Sequence, residues 1–163
     1  DGKSMSPYAY TKAQNTELLE AYARWNNLEY AIVYFYNVYG DGEVTTGKYS
    51  TVIGKFINLM KAGNTTLPIT KPGTQLRNFT HIDDTVDGLI LVMEWGSGDG
   101  WGIGNDTAYS LLDLAEICGA IPAMKPAKKG NRMAGTVHNE MLTALGWKPK
   151  VNLREYINEK LDI

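Results

Sequence analysis

The hydrophobic pattern of the chain changes between the period of a helix and the unbroken apolar run of a buried strand. Apolar residues recur at helical spacing, so helices are expected at about residues 7–25, 49–63, 83–95, 110–121, 139–147 and 152–161. The run "YAIVYFYNVYG" at 30–40 has no polar alternation, which predicts a parallel strand buried on both faces. Shorter strands are expected at 67–70, 79–82 and within 96–105. This order predicts an α/β fold.

Polar residues with capping chemistry stand at the expected helix starts. The side chains of Ser, Asn and Asp accept hydrogen bonds from the first free backbone N–H groups of a helix, and proline fits its first turn. The expected start pairs are Ser6 with Pro7, Ser110 with Asp113, and Asn152 with Glu155.

The helix expected at 83–95 should be capped by Asp83 or Asp84. Its apolar residues recur three and four positions apart, so they should face the core. These residues are Val86, Leu89, Ile90 and Met93.

Composition and charge narrow the class of protein. A chain of 163 residues can bury a core, and its formal net charge of -2 argues against a nucleic-acid partner, because such proteins are usually basic. The single cysteine, Cys118, excludes an internal disulfide, and its apolar helical setting predicts a core residue. No apolar run approaches the roughly 20 residues of a membrane span. No membrane partner and a cytoplasmic location are therefore expected.

Tyr8 and Lys12 form a candidate pair for chemistry. They lie four residues apart, so both side chains leave the same face of the first helix. Tyrosine is a poor base at its ordinary pKa of about 10, but a nearby ammonium favours the phenolate. The pair could therefore move a hydroxyl proton while a hydride passes to a nicotinamide. A solvated helix face explains the spacing equally well, and Tyr156 and Lys160 repeat it.

Several stretches, in this order, resemble one protein family. They are "SPYAYTKAQNTELLEAYA", "YNVYG", "GTQLRNFTHIDDTVDGLILVME", "GIGNDTAYSLLDLAE" and "LGWKPKVNLREYI". From residue 6 to about 157, the chain resembles the C-terminal half of the extended short-chain dehydrogenase/reductases, the nucleotide-sugar epimerase and dehydratase family. The resemblance implies the C-terminal part of a Rossmann-like doubly wound parallel sheet, together with a small substrate-binding α/β subdomain. The N-terminal dinucleotide-binding half is expected to be absent.

The resemblance also implies a division of the chain and the roles of particular residues. Residues 1–163 would form a single partial domain, in which 1–48 carry the catalytic helix and 49–163 form mainly the substrate-binding subdomain, with 77–105 returning to the Rossmann part. The implied site residues are Tyr8 and Lys12 for catalysis and the nicotinamide ribose, Asn37 for the sugar, and Arg77 and Lys128 for the nucleotide diphosphate.

Plainer interpretations stand beside these roles. Arg77 could form a surface ion pair, and Lys128 could lie in a solvated basic loop. His81 and Asp84 are expected to order a turn and a helix start rather than to react. Neither His81 nor His138 has clustered partners in sequence for a metal ion.

Departures from the family pattern weaken the assignment of a substrate and leave the cofactor site incomplete. Tyr34 stands where an arginine is usual, Gly102 where "NIG" is usual, and Asn131 where an aspartate is usual. The glycine-rich turn that binds a dinucleotide pyrophosphate is also missing, so a complete cofactor site for NAD or NADP is not expected in this chain. The strand at 31–36 should then present an exposed apolar edge that needs covering.

Two functional hypotheses follow. In the first, the chain is the sugar-nucleotide-binding and catalytic half of an NAD(P)-dependent epimerase or dehydratase, and a missing N-terminal Rossmann half is its partner. In the second, it is a truncated remnant that self-associates and at most binds a nucleoside diphosphate without catalysis. The sequence leaves open whether the chain is an enzyme on its own.

Overall fold

The computed structural model of the chain describes residues 6–127 and 132–163, and it contains helices and short strands in alternation. The helices are α1 (Pro7–Asn26), α2 (Val52–Lys61), α3 (Ile82–Trp95), α4 (Leu111–Ile117), α5 (Glu140–Ala144) and α6 (Leu153–Leu161). The strands are β1 (Ala31–Phe35), β2 (Val38–Tyr39), β3 (Thr66–Thr70), β4 (Leu76–Asn78), β5 (Thr80–His81), β6 (Gly98–Ile103), β7 (Ala108–Ser110) and β8 (Ile121–Lys125).

Parallel pairing predominates among the described strands. β1 pairs with β6, β2 with β5 and β3 with β8 in parallel, whereas β4 and β7 are antiparallel. Parallel strands need crossover connections, and helices supply them: α2 and α3 lie between β1 and β6, and α4 lies between β3 and β8. The predicted α/β class is confirmed.

The predicted helix starts are confirmed at three positions. Ser6 Oγ accepts the N–H of Ala9 at 3.1 Å at the start of α1. Ser110 and Asp113 exchange hydrogen bonds of 3.0 and 2.7 Å at the start of α4. Asn152 Oδ1 accepts two backbone N–H groups at the start of α6. Local side-chain chemistry therefore sets these boundaries independently of the packing around them.

The burial predicted for β1 on both faces is wrong: residues 31–33 are only half-buried and the last two residues are exposed. Tyr34 and Phe35 are 42% and 52% exposed. Among the described residues β1 pairs with β6 along one edge only, so its other edge lacks a neighbouring strand. The apolar strand edge expected from the sequence is therefore present.

Helix α1 lies on the surface despite its apolar content. Ala23 is its buried residue among those described, whereas Leu18 and Trp25 are 60% and 74% exposed. Its contacts with the rest of the molecule include the hydroxyl of Tyr34 on β1, which interacts with Thr16. A helix with exposed leucine and tryptophan side chains presents an apolar surface that nothing in the described structure covers.

Helix α3 starts earlier and faces another way than predicted. His81, rather than Asp83 or Asp84, is the N-cap, and its Nδ1 accepts the N–H of Asp83 at 3.2 Å. The residues expected in the core are exposed instead: Val86, Leu89, Ile90 and Met93. The buried face consists of Asp84, Thr85, Gly88 and Val92.

The polar residue Asp84 accounts for this rotation. Its carboxylate is buried and accepts the backbone N–H groups of Lys150 and Val151 at 2.9 and 3.1 Å. Gly88, one turn further along, lets α3 approach the Ile103 and Leu142 side chains closely. Because hydrogen bonding turns Asp84 inward, the apolar stripe on the opposite side of α3 faces outward.

Two hydrophobic clusters form the core. The first joins α2, β3, α4 and α6, and it includes the buried Cys118, as predicted. The second joins α3, β6 and the segment around α5 through Val92, Trp101, Ile103, Leu142 and Trp147. The helix expected to reach residue 121 ends at Ile117, and the unpredicted strand β8 begins at Ile121. Across residues 6–127 and 132–163, no helix is both long and apolar enough to cross a membrane.

Candidate functional site

A cavity of about 660 Å³ opens where β1 ends beside β4. One wall comes from residues 34–37, a second from β4, and a third from the segment 132–138. In parallel α/β sheets, ligands bind at the carboxyl ends of the strands, and this cavity has that position relative to β1.

Asn37 lies at the point where β1 gives way to β2. Its φ of 40° is left-handed, a conformation that asparagine tolerates better than most residues, and it separates the two strands. Its Nδ2 donates to the backbone oxygen of Asn78 at 2.8 Å, and its own carbonyl accepts the N–H of Thr80 at 3.4 Å. These bonds fix Asn37 against β4 and β5 at the cavity wall.

Asn78 extends this hydrogen bonding away from the cavity. Its Nδ2 donates to the backbone oxygens of Asn105 and Asp106 at 2.9 and 3.0 Å. Asn139 donates to the carbonyl of Gly104 at 2.8 Å from the other side. A largely buried amide network therefore connects the ends of β1, β4 and β6 with the start of α5, which gives the cavity a rigid floor.

Two arginines line the same cavity. Arg77 lies on β4 and its Nη1 donates to the carbonyl of Leu76 at 2.7 Å, while Arg132 lies on the opposite segment and its Nε donates to the carbonyl of Ala134 at 3.1 Å. Partial burial lowers the pKa of Arg77, and the positive charge of Arg132 lowers it further. The described residues that line the cavity include neither Asp nor Glu. The site therefore concentrates positive charge and favours an anion.

Arg132 was missed by the sequence analysis. It follows the basic stretch "KPAKKGN", where the resemblance pointed to Lys128 instead. Lys128 and Asn131 lie outside the described residues. The sequence did contain a signal for Arg132, because it is a second arginine at the end of a basic loop. Its guanidinium group matches the geometry of a phosphate better than the ammonium of a lysine does.

Tyr8 and Lys12 lie apart from this cavity. Tyr8 is 71% exposed on α1, and the Nζ of Lys12 is 5.7 Å from the centroid of its ring. Neither residue is among those that line the cavity. The structure therefore brings Asn37 and Arg77 together and leaves the Tyr8–Lys12 pair on an exposed helix.

The second tyrosine–lysine pair has a structural environment. The ring of Tyr156 packs edge-on against Tyr39 and His81, with centroids 5.1 and 5.2 Å away. Lys160 Nζ is 2.7 Å from Asp41 Oδ1, and the Tyr156 hydroxyl donates to the same oxygen at 3.4 Å. Burial raises the pKa of Tyr156 to about 12, and the negative charge of Asp41 adds to this effect. The pair thus attaches α6 to the loop after β2, and burial beside Asp41 keeps the phenol protonated.

The glycine-rich stretch at 96–105 does not form a dinucleotide cradle. Gly98–Ile103 is itself the strand β6, and no helix follows it directly. A pyrophosphate site of the Rossmann type needs a glycine turn that leads from a strand into a helix N-terminus. The described part of the chain also has no group of three His, Cys, Asp or Glu side chains placed to hold a metal ion.

Comparisons with known proteins identify the family. The model of the NAD dependent epimerase/dehydratase family matches residues 1–104. The chain belongs to this family, whose relatives are extended short-chain dehydrogenase/reductases that act on nucleotide sugars. A dTDP-L-rhamnose 4-epimerase from Burkholderia thailandensis is 31% identical over 163 residues, which cover 94% of this chain and 45% of that protein. A UDP-glucuronic acid decarboxylase 3 from Arabidopsis thaliana is 32% identical and covers 85% of this chain and 42% of its own length.

A solved structure shows the same fold. The UDP-glucose 4-epimerase of Thermotoga maritima, in complex with UDP-glucose, superimposes with a TM-score of 0.86 and 29% identity. The superposition covers 96% of this chain and 52% of that one. The chain thus spans about half the length of the relatives it matches, and the predicted Rossmann-like fold class is confirmed.

Proposed function

We propose that this chain is the sugar-nucleotide-binding and catalytic half of an NAD- or NADP-dependent epimerase or dehydratase. The observation that carries the proposal is the convergence of Arg77, Arg132 and Asn37 on one cavity of about 660 Å³. Two guanidinium groups, with no carboxylate among the described lining residues, favour a ligand with several negative oxygens, such as a diphosphate.

Each lining residue then has a chemical task. Arg77 and Arg132 hold the diphosphate from opposite walls, and Lys128 adds a third positive charge. Asn37 contacts the sugar: one N–H of its Nδ2 donates to the backbone oxygen of Asn78 and orients the amide, and Oδ1 accepts a hydrogen bond from a sugar hydroxyl. The rigid amide network behind Asn37 orients this acceptor without further ordering when the ligand binds.

Tyr8 and Lys12 supply acid–base chemistry in the complete enzyme. Tyr8 takes the proton from a sugar hydroxyl, and the ammonium of Lys12 favours the phenolate that does so. NAD or NADP, when bound, supplies the hydride acceptor, a role that the family's NAD dependence supports. The described residues contain no pyrophosphate cradle, so the remaining part of the enzyme has to provide it.

An uncovered apolar surface on the chain supports a partner that supplies the rest of the enzyme. A groove of about 380 Å³ runs between the open edge of β1 and the outward face of α3, with Val33, Leu89 and Met93 among its lining residues. Together with the exposed apolar residues of α1, it forms a surface that a Rossmann half, on the same or another polypeptide, would cover. Residues 1–48 and the segment 77–105 would join that half, and the rest of 49–163 would hold the substrate.

A second candidate function is nucleoside-diphosphate binding without catalysis by a self-associated chain. The position of Tyr8 favours it, because this side chain is 71% exposed and outside the cavity. In that case a second copy covers the edge of β1, and Tyr8 and Lys12 have no substrate within reach.

Isothermal titration calorimetry of the purified chain tests the proposal. We expect UDP and UDP-glucose to bind and Arg77→Gln to weaken UDP binding by about tenfold to a hundredfold, since charged hydrogen bonds contribute about 1.5–3 kcal/mol. Arg154→Gln is the matched control, because Arg154 is exposed on α6 and does not line the cavity. Titration with dTDP in place of UDP compares the two bases.

The outcomes separate the candidates. Absence of binding by UDP, dTDP and their sugars would overturn both candidate functions. Binding of UDP without NAD is the expected result for the chain alone, and NAD-dependent turnover should appear only when the remaining part of the enzyme is supplied. Tight NAD binding by the chain alone would contradict the need for a partner half.

A further inference from the structure

We propose that the hydroxyl of Tyr36 is a positioning group that fixes the segment 132–138, here called the strap, across the cavity. The strap carries Arg132 and His138, and it lines the cavity opposite β4. This inference rests on the proposed function, because its consequence is the placement of Arg132 for an anionic ligand.

The strap has no secondary structure of its own to hold it. Residues 132–138 form neither helix nor strand. The backbone N–H of Leu76 donates to the carbonyl of Met133 at 2.8 Å, which attaches the first part of the strap to β4. The N–H of His138 donates to the hydroxyl of Tyr36 at 3.2 Å, which attaches the last part to the end of β1. The strap thus crosses the cavity between two hydrogen bonds, one with the backbone of Leu76 and one with the side chain of Tyr36.

Two glycines make room for this arrangement: Gly102 on β6 and Gly104 directly after it. A Cβ on Gly102 would lie closer to the carbonyl oxygen of His138 than carbon and oxygen can approach. A Cβ on Gly104 would lie 2.7 Å from Cδ2 of the Tyr36 ring. The strap and the Tyr36 ring therefore occupy the space that ordinary side chains at positions 102 and 104 would take.

The Tyr36 bond bears on Arg132 through the strap backbone. The Nε of Arg132 is held by the carbonyl of Ala134, so the direction of its guanidinium follows the path of the strap. Loss of the Tyr36 hydroxyl leaves the His138 N–H without this acceptor and releases the end of the strap. Arg132 then has to be ordered again when a ligand binds, and this ordering lowers the affinity.

Tyr36→Phe tests the inference, because it removes a single oxygen atom and keeps the ring against Gly104. Tyr49→Phe is the matched control, since Tyr49 is 82% exposed and does not line the cavity. Limited trypsin digestion of the full chain without ligand, followed by mass spectrometry, measures cleavage after Arg132. We expect several-fold faster cleavage at this bond in Tyr36→Phe and no change in Tyr49→Phe.

UDP titration measures the effect on binding. One lost hydrogen bond corresponds to about a three- to tenfold weaker affinity. This loss should vanish when Arg132 is already replaced by Gln and should persist in full with Arg77→Gln, because only Arg132 of the two arginines lies on the strap. A general loss of stability would instead weaken binding equally in both backgrounds.

The results distinguish the inference from the proposed function. Unchanged cleavage after Arg132, or a Tyr36→Phe loss that adds fully to Arg132→Gln, overturns the positioning role alone. A wild-type chain that binds no UDP overturns the proposed function and, with it, any role of Tyr36 in binding, whatever the cleavage rate.

Discussion

The buried carboxylate of Asp84 accepts the backbone N–H of Lys150 at 2.9 Å and joins the start of α3 to the segment before α6. The same carboxylate accepts the N–H of Val151 at 3.1 Å, and the carbonyl of Asp84 accepts Trp147 Nε1 at 2.9 Å. Three contacts at one residue therefore attach residues 147–151 to the helix, and they decide which side of α3 is buried.

Asp84→Asn should lower the free energy of unfolding. An amide has one oxygen where the carboxylate has two, so one of the two backbone N–H groups loses its acceptor, and the remaining bond is no longer charge-assisted. We expect a loss of about 1.5–3 kcal/mol in urea denaturation. Asp83→Asn is the control, because its side chain is 80% exposed, and it should change the stability little. Equal losses in the two variants would contradict the role given to Asp84.

Gly88→Ala should destabilise the protein although alanine favours helices. An added Cβ would lie 2.9 Å from Ile103 Cγ2 and 3.0 Å from Leu142 Cδ2, both of them in the core. Overpacking costs about 1–3 kcal/mol, which outweighs the helix gain of about 1 kcal/mol at the upper end of that range. Gly54→Ala is a matched change in α2, where the nearest atoms belong to the partly buried Glu43 side chain and not to the hydrophobic core, so its loss should be smaller. Urea denaturation of both variants measures the difference.

The environment of Tyr156 predicts a loss of stability at alkaline pH. Burial raises its pKa to about 12 from an unfolded value of 10.0, so the folded state favours the protonated phenol. This contribution is fully present below pH 10 and is lost as the pH rises through about 12. The free energy of unfolding should therefore fall over this range, and Tyr156→Phe should reduce the fall. Tyr49→Phe, which removes an exposed phenol, should leave the pH dependence unchanged; an identical profile for Tyr156→Phe would contradict the prediction.

The open edge of β1 predicts self-association of the isolated chain. The groove beside this edge contains Met93, which is 77% exposed, and an uncovered apolar edge favours pairing with another copy. Analytical ultracentrifugation at micromolar concentration should show a species larger than the monomer. Met93→Lys should shift the chain towards the monomer, whereas Ile163→Lys, at the exposed C-terminus, should not. A wild-type chain that sediments as a monomer throughout would contradict the prediction.

Local chemistry was readable from the sequence. Ser6, Ser110 and Asn152 cap the helices that they were expected to cap, because each bonds backbone N–H groups within three residues along the chain. The family resemblance was likewise carried by contiguous stretches, and the family comparison confirms it. In the candidate site, Asn37 and Arg77 lie at one cavity, whereas the catalytic roles of Tyr8 and Lys12 remain predictions.

The sequence by itself thus determined the α/β class, the family and the starts of α1, α4 and α6, because these depend on periodicity, motifs and neighbours in the chain. Only the tertiary structure decided which face of α3 is buried, since Asp84 meets Lys150 across 66 positions of sequence. The tertiary structure likewise decided that Arg132 and Arg77 line the same cavity. Such contacts join segments with no local relationship, and their energies depend on the packing of the whole fold.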